Sequence, residues 1–303
     1  MMLYLNSLLI FYLFCCPLSS VVIHDALSPH ASTSSRIVME EKAHSLTKVK
    51  IILFDLTGTL LTDGLADAIK TMNQVFGIDP DKIREWLQRS EKAVGFRLGS
   101  VSAEEYWSYV LTQLKEVIQE PSAITKESEQ FFSLNETQQK EQLRQWLYGA
   151  YKEIPGVARL LTNLSAKGYH VAIFTNMEPE RKEYLQAHFT FLGPVRMITS
   201  ADVGFRKPAP EAFRKVSEIL KSEFEVTSPD EILYVDDEDK NLQPVREFLE
   251  WQILHANQKV ALPDSPEMHE LIHLGELRMQ NKQSDSVETQ NLKTVEEQLI
   301  FAL

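Results

Sequence analysis

Hydrophobic and polar positions follow two rhythms along this chain. Five short, nearly unbroken apolar runs stand out: Val49–Leu56 (VKIILFDL), Tyr169–Thr175 (YHVAIFT), Val195–Thr199 (VRMIT), Ile232–Val235 (ILYV) and Trp251–His255 (WQILH). A run of this kind suits a strand covered on both faces, as in a parallel sheet. Helical patterns separate the runs, and strand–helix alternation predicts a parallel α/β sheet.

One gap breaks the alternation. Between Asp63 and about Pro155 no strand pattern occurs. Leu65, Ile69, Met72 and Phe76 lie 4, 3 and 4 apart, which is one face of a helix. Gly77 suits the position after its last turn. Asp79-Pro80 reads as an N-cap followed by proline in the first turn. Ser102 and Glu105 form a capping box, opening a helix with Trp107, Val110, Leu111, Leu114, Val117 and Ile118 on one face. Gln138–Tyr151 reads as another helix. The expected organisation is therefore an all-helical segment, 64–154, inserted into a core made of 48–63 and 155–280. Trp86, Trp107 and Trp146 fit the core of that insertion better than a substrate surface. A further helix is expected over Met268–Leu277, and a polar tail over 281–303.

The N-terminus has its own character. From Met2 to Val22 the one strongly polar residue is Asn6, and Leu8–Cys16 is almost purely apolar. That suits a signal-peptide core, with Ser19 and Ser20 near a cleavage point, or an anchor interrupted by Pro17. No basic stretch precedes it, and Met39 offers a shorter start. Export or anchoring through 1–22, with contact to a membrane or the secretion machinery, is favoured slightly over a cytoplasmic location. Residues 23–47 are polar and aperiodic and read as a tether.

Charge and cysteine content remove some function classes. The net charge is −12, whereas a nucleic-acid surface needs a basic footprint. Both cysteines, Cys15 and Cys16, lie in the N-terminal apolar stretch, so neither a disulfide framework nor thiol chemistry is expected. Two N-x-S/T triplets, at Asn135 and Asn163, are of a kind that arises often by chance.

Four short features end predicted strands, at the edge where open parallel sheets bind ligands. Asp55-Leu56-Thr57-Gly58-Thr59 offers a carboxylate able to attack phosphorus. Its glycine permits a sharp turn, and amides around Gly58 and Thr59 can cradle phosphate oxygens. Thr175-Asn176 offers a hydroxyl to a phosphoryl oxygen. Arg206-Lys207-Pro208-Ala209-Pro210 offers an ammonium to offset the carboxylate and the charge that builds in phosphoryl transfer. Asp236-Asp237-Glu238-Asp239 places adjacent acids after a buried run, and a hard cation relieves their repulsion. An oxygen-only ligand set selects Mg²⁺. Arg97, behind Gly95-Phe96, reads as a solvated side chain rather than a substrate contact.

FDLTGTL, IFTN, GFRKPAPEAF and YVDDEDKN together resemble the four signature motifs of the haloacid dehalogenase superfamily. The resemblance spans about residues 49–257, and the helical insertion resembles the C1 cap of its first subfamily. It implies a three-layer, Rossmann-like α/β fold: a parallel five-stranded sheet with an inserted helical cap. It implies that Asp55 is nucleophile and metal ligand and that the Thr57 carbonyl is a second ligand. Thr175 and Lys207 would bind the phosphoryl group. Asp237 would be the main ligand of the fourth motif, with Asp236 assisting. Asn241 falls where other members carry a later acid.

One position departs from the pattern. Phosphatases of the superfamily usually carry Asp two residues after the nucleophile, to protonate the leaving group and activate water. Here it is Thr57, and general acid–base assistance is typically worth about 10²–10⁴-fold. The expectation is a Mg²⁺-dependent phosphohydrolase acting on a small phosphorylated molecule, slow or specialised for good leaving groups. The alternatives are a haloacid dehalogenase, or a catalytically weak binding protein of the same fold. Neither the substrate nor the oligomeric state is readable from the sequence.

Overall fold

A computed structural model describes residues 46–117, 125–256, 262–277 and 279–280. The chain divides into two units, Met1–Thr47 and Lys48–Leu303, and the second contains the sheet with all its helices. The leader, nearly all of the tether, Ile118 and the polar tail lie outside the described residues. Among those described, no helix is long and apolar enough to cross a membrane.

All five expected strands form. They are β1 (Ile51–Phe54), β2 (His170–Thr175), β3 (Arg196–Thr199), β4 (Ile232–Asp236) and β5 (Gln252–His255). The sheet is parallel throughout, in the order β3-β2-β1-β4-β5. Strand β1 is buried at every residue, which explains its unbroken apolar run. Phe54 aligns with Ile173 on one side and Val235 on the other. The next residues, Asp55 and Asp236, therefore leave the sheet side by side.

Among the described residues, the insertion between Asp63 and Tyr151 contains six α-helices: α1 (Gly64–Phe76), α2 (Pro80–Arg84), α3 (Glu91–Arg97), α4 (Ala103–Val117), α5 (Lys126–Ser133) and α6 (Glu136–Tyr148). A π-helical turn, Glu85–Arg89, joins α2 to α3. They share an apolar cluster that includes Ile69, Met72, Phe76, Trp86, Trp107 and Leu111, with Trp146 packed at its margin. The expected caps form: Gly77 ends α1, and Asp79 accepts from the Asp81 amide at the start of α2. The start of α1 has a cap beyond those expected, Asp63, which accepts from the Leu65 amide.

Two helix starts differ from expectation. Ser102 accepts from the Glu105 amide at 3.2 Å, but the Glu105 carboxylate pairs with Lys92 instead of returning to Ser102, so half a capping box forms. The helix expected over Gln138–Tyr151 is α6, which begins earlier and stops at Tyr148. Its start is set by Asn135, whose side chain accepts from the Gln138 amide while Gln138 reciprocates. That reciprocal pair satisfies two amides that lack helical partners.

Five helices complete the core: α7 (Val157–Ala166), α8 (Pro179–His188), α9 (Ser200–Val203), α10 (Pro210–Phe224) and α11 (Asp239–Phe248). Ile51, Leu53, Phe174, Ile198 and Tyr234 face one way and pack with Phe213 of α10 and Leu242 of α11. The intervening Ile52, Phe54, Ile173, Met197 and Val235 are buried as well. Residues 266–277 are helical, as expected near Met268–Leu277.

A buried polar network ties the inserted helices to α8. Glu178 is fully buried and accepts from Arg181 at 2.9 Å. The Tyr148 hydroxyl of α6 lies 3.0 Å from Glu178 and 2.9 Å from Glu180. Trp107 and Arg144 donate to Glu180, each at 2.8 Å. These charges tolerate burial because they are paired and hydrogen-bonded.

Candidate active site

The C-terminal edges of β1, β2 and β4 open onto a cavity of about 840 Å³, lined in part by Asp55, Thr57, Gly58, Thr175, Lys207 and Asp237. Three carboxylates converge at its floor: oxygens of Asp55, Asp236 and Asp237 lie within 4.8 Å of one another. The shared register of β1 and β4 produces this closeness, since adjacent strands lie about 4.8 Å apart.

Lys207 is the cation among them. Its ammonium donates to Asp55 Oδ1 at 2.6 Å, Asp236 Oδ2 at 2.9 Å and the Tyr234 hydroxyl at 3.0 Å. An ammonium has three protons, so all are engaged. Burial alone would lower its pKa, but Asp55 and Asp236 raise it, so it stays charged. Burial pushes the Asp55 carboxyl up to about 7, with the Asp236 charge adding to the push and Lys207 opposing it. Asp236 moves the other way: Lys207 and the Tyr234 hydroxyl outweigh its burial and lower it. Three carboxylates against one ammonium carry a formal charge of −2, which one divalent cation balances.

Asp236 is fully buried. Oδ2 accepts from Lys207, Tyr234 and Asn241, and Oδ1 from the Glu238 amide at 2.8 Å and again from Asn241. Two carboxylate oxygens offer about four lone-pair sites, and these contacts use them. Asp237 instead lines the cavity.

The turn after β1 is built around Gly58, at φ 89°. A Cβ here would lie 2.2 Å from Asp237 Oδ2, so a side chain is excluded on both counts. The Gly58 amide donates to the Leu61 carbonyl at 2.7 Å. It does not belong to a phosphate cradle as expected; its work is to close the turn. Thr59 is buried, and its hydroxyl has no hydrogen-bond partner. A buried polar atom without a partner is costly and points to a ligand in the cavity. Thr57 and Thr175 line the cavity as expected.

Asn176 lines the cavity and has a further role that the sequence does not show. Its side chain donates to the Lys207 carbonyl at 2.9 Å and accepts from the Lys207 amide at 2.8 Å. These two bonds position the lysine loop and leave one amide hydrogen and one oxygen lone pair, on a side chain that lines the cavity. Arg97 differs from expectation. It is 7% exposed rather than solvated, and it lines the cavity.

Tyr234 is a site residue that the sequence pattern conceals. Its signal is present: a residue two before Asp236 on the same strand points to the same face. The apolar run makes it look like core filling, which it also is, stacking edge-on with Phe213.

A family model for haloacid dehalogenase-like hydrolases matches residues 49–248. The chain belongs to the haloacid dehalogenase-like hydrolases. No functionally curated protein matches it. Among solved structures with similar folds is a haloacid dehalogenase family enzyme of Bacteroides thetaiotaomicron, bt-2542, in complex with magnesium and inorganic phosphate. It is 16% identical with a TM-score of 0.51, over 73% of this chain and 98% of that one. L-2-haloacid dehalogenase of Xanthobacter autotrophicus is 18% identical with a TM-score of 0.46, over 73% and 86%. A haloacid dehalogenase family phosphatase of Thermococcus onnurineus is 19% identical with a TM-score of 0.44, over 69% and 86%. At these identities the likeness to the haloacid dehalogenase-like hydrolases of known structure concerns the fold.

Proposed function

We propose that this chain is a Mg²⁺-dependent phosphohydrolase that forms an aspartyl-phosphate on Asp55. The observation that carries this reading is the convergence of Asp55, Asp236, Asp237 and Lys207 at one site, three carboxylates against one ammonium, with a formal excess of two negative charges.

Asp55, Asp237 and the Thr57 main-chain carbonyl would hold the ion. Asp236, with its acceptors engaged, acts as the charge partner of Lys207. Bound there, Mg²⁺ neutralises the carboxylates and the charge developing on the phosphoryl oxygens. An Asp55 oxygen attacks phosphorus as the bond to the leaving oxygen breaks, and the leaving group departs with the electron pair. A phosphoryl oxygen engages Lys207 by taking over one of its three donors. The Tyr234 hydroxyl is the neutral acceptor of the three and the easiest to displace. Thr175 offers a hydroxyl to another oxygen. Water then attacks the aspartyl-phosphate, releasing orthophosphate and restoring Asp55.

Thr57 has no carboxyl with which to protonate the leaving group or activate that water. The chemistry this favours is a leaving group that needs no proton, such as the carboxylate of an acyl phosphate. Phosphate release from p-nitrophenyl phosphate with Mg²⁺, abolished by EDTA and by Asp55→Asn, is the expected result. Chloride release from 2-chloropropionate that persists in EDTA, with no phosphate release, would replace this reading with dehalogenation.

A further inference from the structure

The cavity holds more positive charge than one phosphoryl group requires. Besides Lys207, its lining includes Arg84, Arg97, Arg181, Arg206 and Lys240. Two of these are matched: Arg181 by Glu178 at 2.9 Å and Lys240 by Glu238 at 2.8 Å. Among the described residues, no carboxylate forms an ion pair with Arg84, Arg97 or Arg206.

Arg97 is the best placed of the three. It is the last residue of α3 and is buried, with Nε donating to the Ala93 carbonyl at 3.2 Å and Nη2 to the Gln88 carbonyl. Those two bonds fix the guanidinium and leave part of its five-donor fork uncommitted. Its backbone is held as well: the Ser200 hydroxyl donates to the Arg97 carbonyl at 2.6 Å, and the Met177 amide donates to the same hydroxyl at 3.0 Å. Arg206 lies immediately before Lys207, half-buried, and its Nε is enclosed without a hydrogen-bond partner. Both side chains line the same cavity. Burial first, and then the charges of Arg206 and Arg181, hold Arg97 down to about 10. Keeping a buried and a half-buried guanidinium in one cavity costs free energy unless an anion joins them.

We propose that Arg97 and Arg206 form a second anion subsite, so that the substrate is a phosphorylated compound with a further carboxylate or phosphate remote from the scissile group. The proposal rests on the phosphohydrolase reading for the first anion, which sits at Asp55 and Lys207. The rigid donor forks of arginine match both carboxylate and phosphate oxygens. Arg84 lines the same cavity and supplies a third positive charge.

The test separates the subsite from the chemistry. The Asp55→Asn protein, which cannot turn over, is titrated calorimetrically in Mg²⁺ with plain alkyl phosphates, ω-carboxyalkyl phosphates and alkanediol bisphosphates of three to six carbons. At least one doubly anionic ligand is expected to bind tenfold or more tightly than the alkyl phosphate of equal length, and its class distinguishes carboxylate from phosphate. Adding Arg206→Gln should abolish that preference, and Arg206→Lys should restore part of it. Arg97→Gln should act in the same direction. Because Arg97 also bonds to backbone, the partnerless Arg206 keeps the test decisive if the Arg97 variant fails to fold. Equal affinity across the ligands, or a preference that survives Arg206→Gln, overturns the subsite. In turnover by the otherwise native protein, Arg206→Gln should lower kcat/KM for the preferred ligand at least tenfold more than for p-nitrophenyl phosphate. An equal loss for both overturns the proposal. Preferential binding without phosphate release from any compound would refute the phosphohydrolase reading and leave the subsite standing.

Discussion

Replacing Gly58 with alanine should injure activity far more than stability. The residue sits at φ 89°, where an L side chain costs about 1–2 kcal/mol. A new Cβ would lie 2.2 Å from Asp237 Oδ2, against a normal carbon–oxygen approach of about 3.3 Å. The carboxylate must therefore retreat by about 1 Å. It ends a flexible side chain, so the retreat adds little to the folding cost. For a chain of this size the strain amounts to a melting-temperature loss of about 2–8 °C. At a reacting centre, however, a displacement of about 1 Å can cost on the order of 10²-fold in rate. Since Asp237 is a proposed ligand, the Mg²⁺ concentration needed for half-maximal activity should rise tenfold or more. Phosphate release measured across a Mg²⁺ titration, alongside thermal unfolding of the same preparation, provides both numbers. If Gly58→Ala retained activity within threefold of the parent with an unchanged Mg²⁺ midpoint, the proposed role of Asp237 would be wrong.

Three other substitutions probe different parts of the molecule. Thr57→Asp should raise turnover of a phosphate ester with a poor leaving group by about 10–100-fold, part of the usual acid–base contribution; an unchanged or lower rate on an alkyl phosphate counts against the account of this position. Tyr234→Phe removes a hydroxyl bonded to Lys207 and Asp236. A loss of about 1–3 kcal/mol in stability is expected, with about tenfold slower phosphate release, read from urea unfolding and steady-state kinetics. Glu178→Gln leaves the buried Arg181 without its anion, which should cost about 3–5 kcal/mol; a urea midpoint close to the parent's would show that the network contributes little.

The central strands β1 and β4 are the most legible in the sequence because every residue of each is buried, and only an unbroken apolar run suits that place; β5, at the sheet edge, is partly buried and reads less cleanly. The site features are legible for a related reason: three end or directly follow a strand, the fourth, Arg206-Lys207, follows β3 after the short helix α9, and all contain polar residues that the core would reject. What stays hidden is a matter of partners. Asn176 reads only as a ligand-facing group because nothing local shows that both ends of its amide meet the backbone of Lys207, 31 residues away. Arg97 reads as solvated because a single charged residue on a short helix carries no mark of burial. Its backbone carbonyl is held by the hydroxyl of Ser200, 103 residues distant. Tyr234 is absorbed into an apolar run, since an aromatic ring satisfies the core whatever its hydroxyl does. Gly58 is recognisable as a turn former, but its contact with Asp237 arises only when β4 lies down beside β1.

That neighbouring of β1 and β4 sets the scale of the chemistry. Parallel strands have a repeat of about 4.8 Å fixed by peptide geometry, and one oxygen from each of the three carboxylates lies within 4.8 Å of the others. The backbone ladder thus serves as a ruler for how near Asp55 and Asp236 stand, while Lys207, Tyr234, Asn241 and the bare Gly58 settle where the carboxylate oxygens lie. The outermost strands, β3 and β5, carry none of the three acids. Drift along those margins leaves the ruler unaltered, which frees the periphery to diversify while the reacting distances are inherited intact.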